Sequence, residues 1–253
     1  MTTKEFYIDK DGFKLFSKLD LPDNSGEKMP LLILIHGLTG QMDEPQLEGV
    51  RDVANACSMA CLRVDMYGHG KSDGDFSNHN VLEWVCEIIY IIDYARNLDF
   101  VTDIFLAGHS QGGLAVILAA AIKADQIKAL IPISPATNIV YDCIEGVFFN
   151  NRFDVDSIPD RISFWDGFEV KGNYIRTARA IDVDKAIAAY QGPVFIVHGT
   201  MDESVDVSYG IEVAKKYKNS KLKLIEGDSH CYDYHLEDMI QAVGEFFKEI
   251  LEK

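Results

Sequence analysis

The sequence predicts an α/β fold with a mostly parallel, doubly wound sheet, and three observations carry that prediction. Short apolar runs of the kind a strand buried on both faces requires recur along the chain. Stretches with helical spacing lie between them. The two kinds alternate, and strand–helix–strand order implies parallel strands joined by right-handed crossovers.

Residues Glu5 to Leu19 carry two apolar-bearing segments around Asp11-Gly12, a dipeptide suited to a hairpin, and so predict two antiparallel edge strands at the N-terminus. The apolar runs follow at Leu31 to Gly37, Ala60 to Asp65, Asp103 to Gly108, Ile127 to Ile133, Pro193 to Gly199 and Leu222 to Gly227. Helical spacing occupies Gln46 to Ala56, Val81 to Asn97, Gly112 to Lys123, Ser208 to Tyr217 and Tyr234 to Leu251. One connection, residues 135–189, is far too long for a simple crossover, because most connections in compact domains take only a few residues. It begins just past a strand end, where ligands sit in such sheets, and is rich in aromatics such as Phe148, Phe149, Phe164 and Trp165. We read it as a small lid inserted in a single domain spanning 1–253; its aromatics could equally form a small core of their own.

Composition narrows the function. With 253 residues, 47% hydrophobic and 25% charged, the chain has the balance of an ordinary globular domain. A formal net charge of -16 argues against nucleic acid, which is held by clustered Lys and Arg, and against an anionic membrane surface. No apolar run approaches the roughly 20 residues of a membrane span, and MTTKEFYIDK lacks the features of a signal peptide. Cys57, Cys61, Cys86, Cys143 and Cys231 show no metal-ligand or redox spacing and are read as buried reduced thiols, which makes the cytoplasm the expected location. No pattern calls for a cofactor or a metal, and a homodimer is left open.

The strongest local signal is GHSQGG, Gly108 to Gly113, directly after the strand DIFLA and directly before the helix LAVILAAAIK. A GxSxG in that context is a nucleophile elbow: a sharp strand-to-helix turn lifts the hydroxyl of Ser110 above the sheet edge and demands small neighbours. Serine is a weak nucleophile, so it needs a base oriented by a third group, and behind such an elbow the order is serine, acid, histidine. Of the histidines that follow, His198 ends a strand and His235 falls in the last helical stretch, whereas His230 stands on a loop after the last strand and is the candidate base. TMDESVD, after the strand PVFIVHG, offers Asp202, Glu203 and Asp206; Asp202 is preferred because it is nearest the strand end while leaving room for a turn. The oxyanion donors are expected to be the amides of Gln111 and of Leu38 in HGLT. DMYGHGKSDG lacks phosphate-loop spacing and is read as a shaped loop beside the site, and Cys231 as a packed residue rather than a nucleophile.

These motifs, together with KEFYIDKDG, IPISPA, IPDR, KGNYIR and GDSHCYD, resemble the bacterial cinnamoyl (feruloyl) esterases of the α/β-hydrolase superfamily, over nearly the whole chain. The resemblance implies an α/β-hydrolase fold with a small lid, and a hydroxycinnamate ester as the small-molecule partner. It implies Asp142 and Tyr174 at the phenolic end of the substrate and Trp165 as a lid aromatic near the pocket. Phe149 replaces a polar residue of a relative, and Leu38 stands where many relatives have Phe. A broad carboxylesterase or monoacylglycerol lipase with the same triad is the rival enzyme. A non-catalytic ligand receptor on the same fold is the rival from another class.

Overall fold

The computed structural model describes residues 1–23, 28–165 and 167–252. The chain opens with strands β1 (Thr2–Lys10), β2 (Phe13–Leu21) and β3 (Met29–Ile35), then alternates α1 (Pro45–Ala56), β4 (Ala60–Val64), α2 (Val81–Arg96), β5 (Val101–His109), α3 (Gln111–Ile122) and β6 (Ile127–Ile133). The long connection holds α4 (Asn138–Ile144), β7 (Val147–Phe148), β8 (Asn151–Arg152), β9 (Arg161–Phe164), β10 (Phe168–Lys171), α5 (Gly172–Ala178) and α6 (Val183–Ala189). The chain ends with β11 (Val194–Gly199), α7 (Val207–Lys216), β12 (Ser220–Ile225) and α8 (Leu236–Leu251).

Eight strands form one sheet in the order β1-β2-β4-β3-β5-β6-β11-β12. Strand β2 pairs antiparallel with both β1 and β4, and the remaining neighbours are parallel. Only β1 of the N-terminal pair is therefore an edge. The continuous apolar run of β3 is explained by helices on both faces: Leu31, Ile33 and Ile35 join one core cluster, while Leu32 and Leu34 join the other. Helices α1 and α8 pack on the second face; α2, α3 and α6 cover the first. Helix α3 is apolar on every side because sheet and helices surround it, and Gln111 through Ala120 are all buried.

Within the long connection, α6 was not foreseen; it packs on α3 as part of the helix layer. The β7–β8 and β9–β10 pairs are small antiparallel sheets separate from the large one. Their aromatics divide: Phe148 and Phe164 are buried in a cluster in which Phe149 stacks on Phe164, centroids 4.8 Å apart, whereas Trp165 is 51% exposed. The cysteines are all free, but only Cys61 and Cys143 are buried; Cys57 is half-buried, and Cys86 on α2 and Cys231 on the loop before α8 are exposed. No helix among the described residues is long and apolar enough to cross a membrane.

Candidate active site

Ser110 stands between β5 and α3 with φ 57° and ψ -122°, a conformation that L-residues avoid and that a nucleophile elbow imposes. The strain is held by close packing. A Cβ on Gly108 would lie 2.4 Å from the Gly112 carbonyl oxygen, and one on Gly112 would lie 2.3 Å from that of His36, so neither position admits another side chain. The Ser110 amide donates to Ile133 O at 2.9 Å, and Ala136 N donates back to Ser110 O at 3.0 Å, which ties the elbow to the end of β6.

His230 lies on the loop between β12 and α8 and shares a cavity with Ser110. Its Nδ1 is 2.7 Å from Asp202 Oδ2, which leaves Nε2 for a proton from a hydroxyl. Asp202 Oδ1 accepts from the amides of Ser204 at 2.9 Å and Val205 at 2.7 Å. His198 Nε2 lies 3.1 Å from Oδ2, so the carboxylate faces two imidazoles. Burial by itself would raise the Asp202 pKa; the bonds from His198, His230 and the Val205 amide hold it far below the usual carboxylate range. Its neighbours do other work: Glu203 Oε2 is 3.4 Å from the His230 amide, and Asp206 caps α7 through Ser208 N.

The loop of His230 is pinned from three sides. Asp228, fully buried, accepts from the amides of Ser229, Tyr234 and His235. The Tyr232 hydroxyl is 2.9 Å from Ser134 Oγ. His109 Nε2 is 2.9 Å from the His230 carbonyl, and Gln46 Nε2 approaches His109 Nδ1 at 3.5 Å, so His109 donates through Nε2. Burial, reinforced by the neighbouring His230, pushes the His109 pKa down to about 3, which keeps it neutral.

At the proposed oxyanion position, Gly37 lets the chain pass so near the elbow that a Cβ there would sit 3.1 Å from Ser110 Cβ. The peptide beside it is oriented by His36, which receives the Met66 amide on Nε2 at 2.9 Å and faces Gly37 O with Nδ1 at 2.7 Å. His69 Nε2 lies 2.9 Å from Leu38 O. Leu38 lines the cavity; Gln111 does not, and its amide is the first of α3, without an intrahelical acceptor.

Of the three expected lid residues, two face the cleft. Trp165 lines the cavity with Ile139 and Phe149, and these continue into a second cavity that reaches Asp142. Burial raises the Asp142 pKa despite a 3.0 Å bond from Asn138 Nδ2. Tyr174 lies elsewhere: it is 1% exposed, is absent from the described lining of both cavities, and donates its hydroxyl to Gln111 Oε1 at 2.5 Å. A phenol buried among apolar groups needs an acceptor, and Gln111 supplies it inside the core.

With that geometry in view, comparison with known proteins is decisive. Residues 26–150 match the family described as Hydrolase_4, serine aminopeptidase S33. The solved structure of ferulic acid bound to Est1E from Butyrivibrio proteoclasticus is 50% identical, with a TM-score of 0.96 over 98% of this chain and 100% of that one. The chain belongs to the α/β-hydrolase superfamily. A second structure of Est1E matches at 47% identity and TM-score 0.93, over 98% of this chain and 99% of that one. More distantly, this α/β-hydrolase is 22% identical to the human mitochondrial palmitoyl-protein thioesterase ABHD10, over 93% of this chain and 82% of the relative.

Sequence reasoning missed His109, Gln46, His198 and Asp228 as supports of the site. His198 and His109 carried a weak signal, since each ends or follows a strand pointing at the cleft. Asp228 and Gln46 carried none, because a turn aspartate and a helical glutamine are common on any surface.

Proposed function

We propose that this α/β-hydrolase is a serine esterase that releases hydroxycinnamic acids, of the ferulate, p-coumarate and caffeate type, from their esters through an acyl-enzyme on Ser110. The observation that carries the reading is ferulic acid bound to a relative 50% identical over essentially the full length of both chains. A passage from Ser110 walled by Ile139, Phe149 and Trp165, which opens into a more polar cavity reaching the Asp142 carboxyl, supports it, since a flat ring with a polar tip suits such a site.

In this mechanism Ser110 Oγ attacks the ester carbonyl carbon while its proton passes to His230 Nε2. The oxyanion rests on the amides of Leu38 and Gln111, with the N-terminus of α3 adding its dipole. Collapse breaks the bond to the alkoxy oxygen, which takes the proton from His230 and leaves as the alcohol. Water then repeats the two transfers on the acyl-enzyme and frees the acid. Asp202 holds the imidazole in the Nδ1–H form and stabilises its cation without taking the proton.

The test is the specificity constant for methyl ferulate, methyl p-coumarate and an aliphatic methyl ester of equal size. A phenolic acyl arm predicts at least about a tenfold advantage for the first two, the gain expected of a filled aromatic site with one charge-assisted hydrogen bond. Equal constants for all three would remove the hydroxycinnamate preference and leave a general esterase.

A further inference from the structure

The lining of the cleft at Ser110 divides into two arms according to which residues it shares with the neighbouring cavity. One runs under the lid along Asn138, Ile139, Phe149 and Trp165 and continues toward Asp142. The other is walled by Thr39, Gly40, Glu44 and Cys231, beside His230, and does not share these residues with the extension under the lid. The two halves of an ester diverge from its carbonyl carbon. The half that leaves must keep its oxygen against the group that protonates it, which places the alcohol on the His230 side. With the acyl group under the lid, as proposed above and on which this inference rests, the alcohol lies against Glu44.

Glu44 is built to face that arm. It sits just before α1, and Gly40 leaves the space its carboxyl fills, a Cβ there falling 2.5 Å from Oε1. Its Oε2 accepts from Gln46 Nε2 at 3.1 Å, the same amide that reaches His109. A carboxylate offers about four lone-pair directions, so acceptor capacity remains toward the cleft. Burial pushes its pKa up to about 7, against the pull of the nearby His230. Among the described residues, the other walls of this arm supply no second carboxylate. We infer that Glu44 determines specificity for the alcohol half of the substrate, accepting hydrogen bonds from hydroxyls next to the ester and so favouring polyol or sugar esters over plain alkyl esters.

The experiment compares glyceryl monoferulate with propyl ferulate, which differ in the hydroxyls alone, for the native chain and for Glu44→Gln. The quantity read is the ratio of the two specificity constants. Any damage passed through Gln46 and His109 to His230 strikes both esters alike and cancels. Measured at about pH 8.5, where Glu44 is ionised, the ratio is expected to fall about tenfold, the difference between a charge-assisted and a neutral hydrogen bond. A ratio unchanged within about twofold on these ferulates and on the matching acetates overturns the inference. Should Glu44→Gln fail to fold, Glu44→Asp withdraws the carboxyl by about 1.5 Å and is expected to lower the ratio in the same direction. The same pair built on acetate repeats the measurement without the phenolic acyl group. Failure on ferulates with a shifted ratio on acetates would count against the acyl assignment, whereas unshifted ratios on both would count against Glu44.

Discussion

The ring of His109 gives its Nε2 hydrogen to the main-chain carbonyl of His230 across 2.9 Å, so the residue before the proposed nucleophile holds the loop of the proposed base. The two rings also lie face to tilted face, with centroids 4.7 Å apart. Nucleophile and base are thereby referenced to one another through a neutral imidazole.

His109→Phe keeps the ring and removes the donor. The orphaned carbonyl costs about 1–3 kcal/mol, and the loosened loop is expected to lower kcat roughly 10- to 100-fold with KM little changed. Thermal unfolding and steady-state kinetics measure the two effects. A variant with native kcat would show that the loop is held without this bond.

The Asp202 carboxylate faces both His198 and His230. Asp202→Asn is expected to cut kcat by about 10⁴-fold, because the amide favours the wrong tautomer of His230. His198→Phe removes one of two imidazole partners and is expected to cost about tenfold in kcat. A loss on His198→Phe as large as that on Asp202→Asn would show instead that the carboxylate acts only when His198 holds it.

Tyr174 bonds the side chain of Gln111, whose main-chain amide is a proposed oxyanion donor. Tyr174→Phe is expected to lower kcat/KM by the same few-fold factor on methyl ferulate and on methyl cinnamate, which lacks ring hydroxyls, and to cost about 1–2 kcal/mol in stability. A loss confined to methyl ferulate would instead put the tyrosine in contact with the substrate phenol.

Acid should destabilise the fold through buried imidazoles. Burial, the largest cause, pushes the pKa of His79 and of His109 down to about 3, so the folded state holds both neutral. The unfolded chain, with values near 6.5, binds more protons between those limits. The stability each contributes is complete above about pH 6.5 and is lost as the pH falls toward 3, by about 3 kcal/mol per histidine at about pH 4.5. His109→Phe should show a shallower fall in Tm between about pH 6.5 and 4.5 than the native chain. Parallel curves would contradict the assignment.

Order and type of the main elements were legible in the residues. The apolar runs marked β3 to β6, β11 and β12, the hairpin dipeptide marked β1 and β2, and the helical stretches matched α1, α2, α3, α7 and α8 to within two residues. The reason is that period, turn chemistry and the glycines around Ser110 act over a few neighbouring positions. Helices α4, α5 and α6 escaped notice because each has seven residues, too few to display a period.

By itself, then, the amino-acid order determined a doubly wound sheet with a sharp turn at Ser110, and named the loops proposed to supply its partners. Tertiary packing alone decided that Tyr174 turns inward to Gln111, that Asp202 serves two imidazoles, and that Glu44 lines the cavity of Ser110. The pairings that span the chain join residues 63 positions apart for Tyr174 and Gln111 and 28 for Asp202 and His230. Which buried polar group meets which partner depends on how the layers settle, since a donor or acceptor shut away from water must be satisfied by whatever the fold brings near.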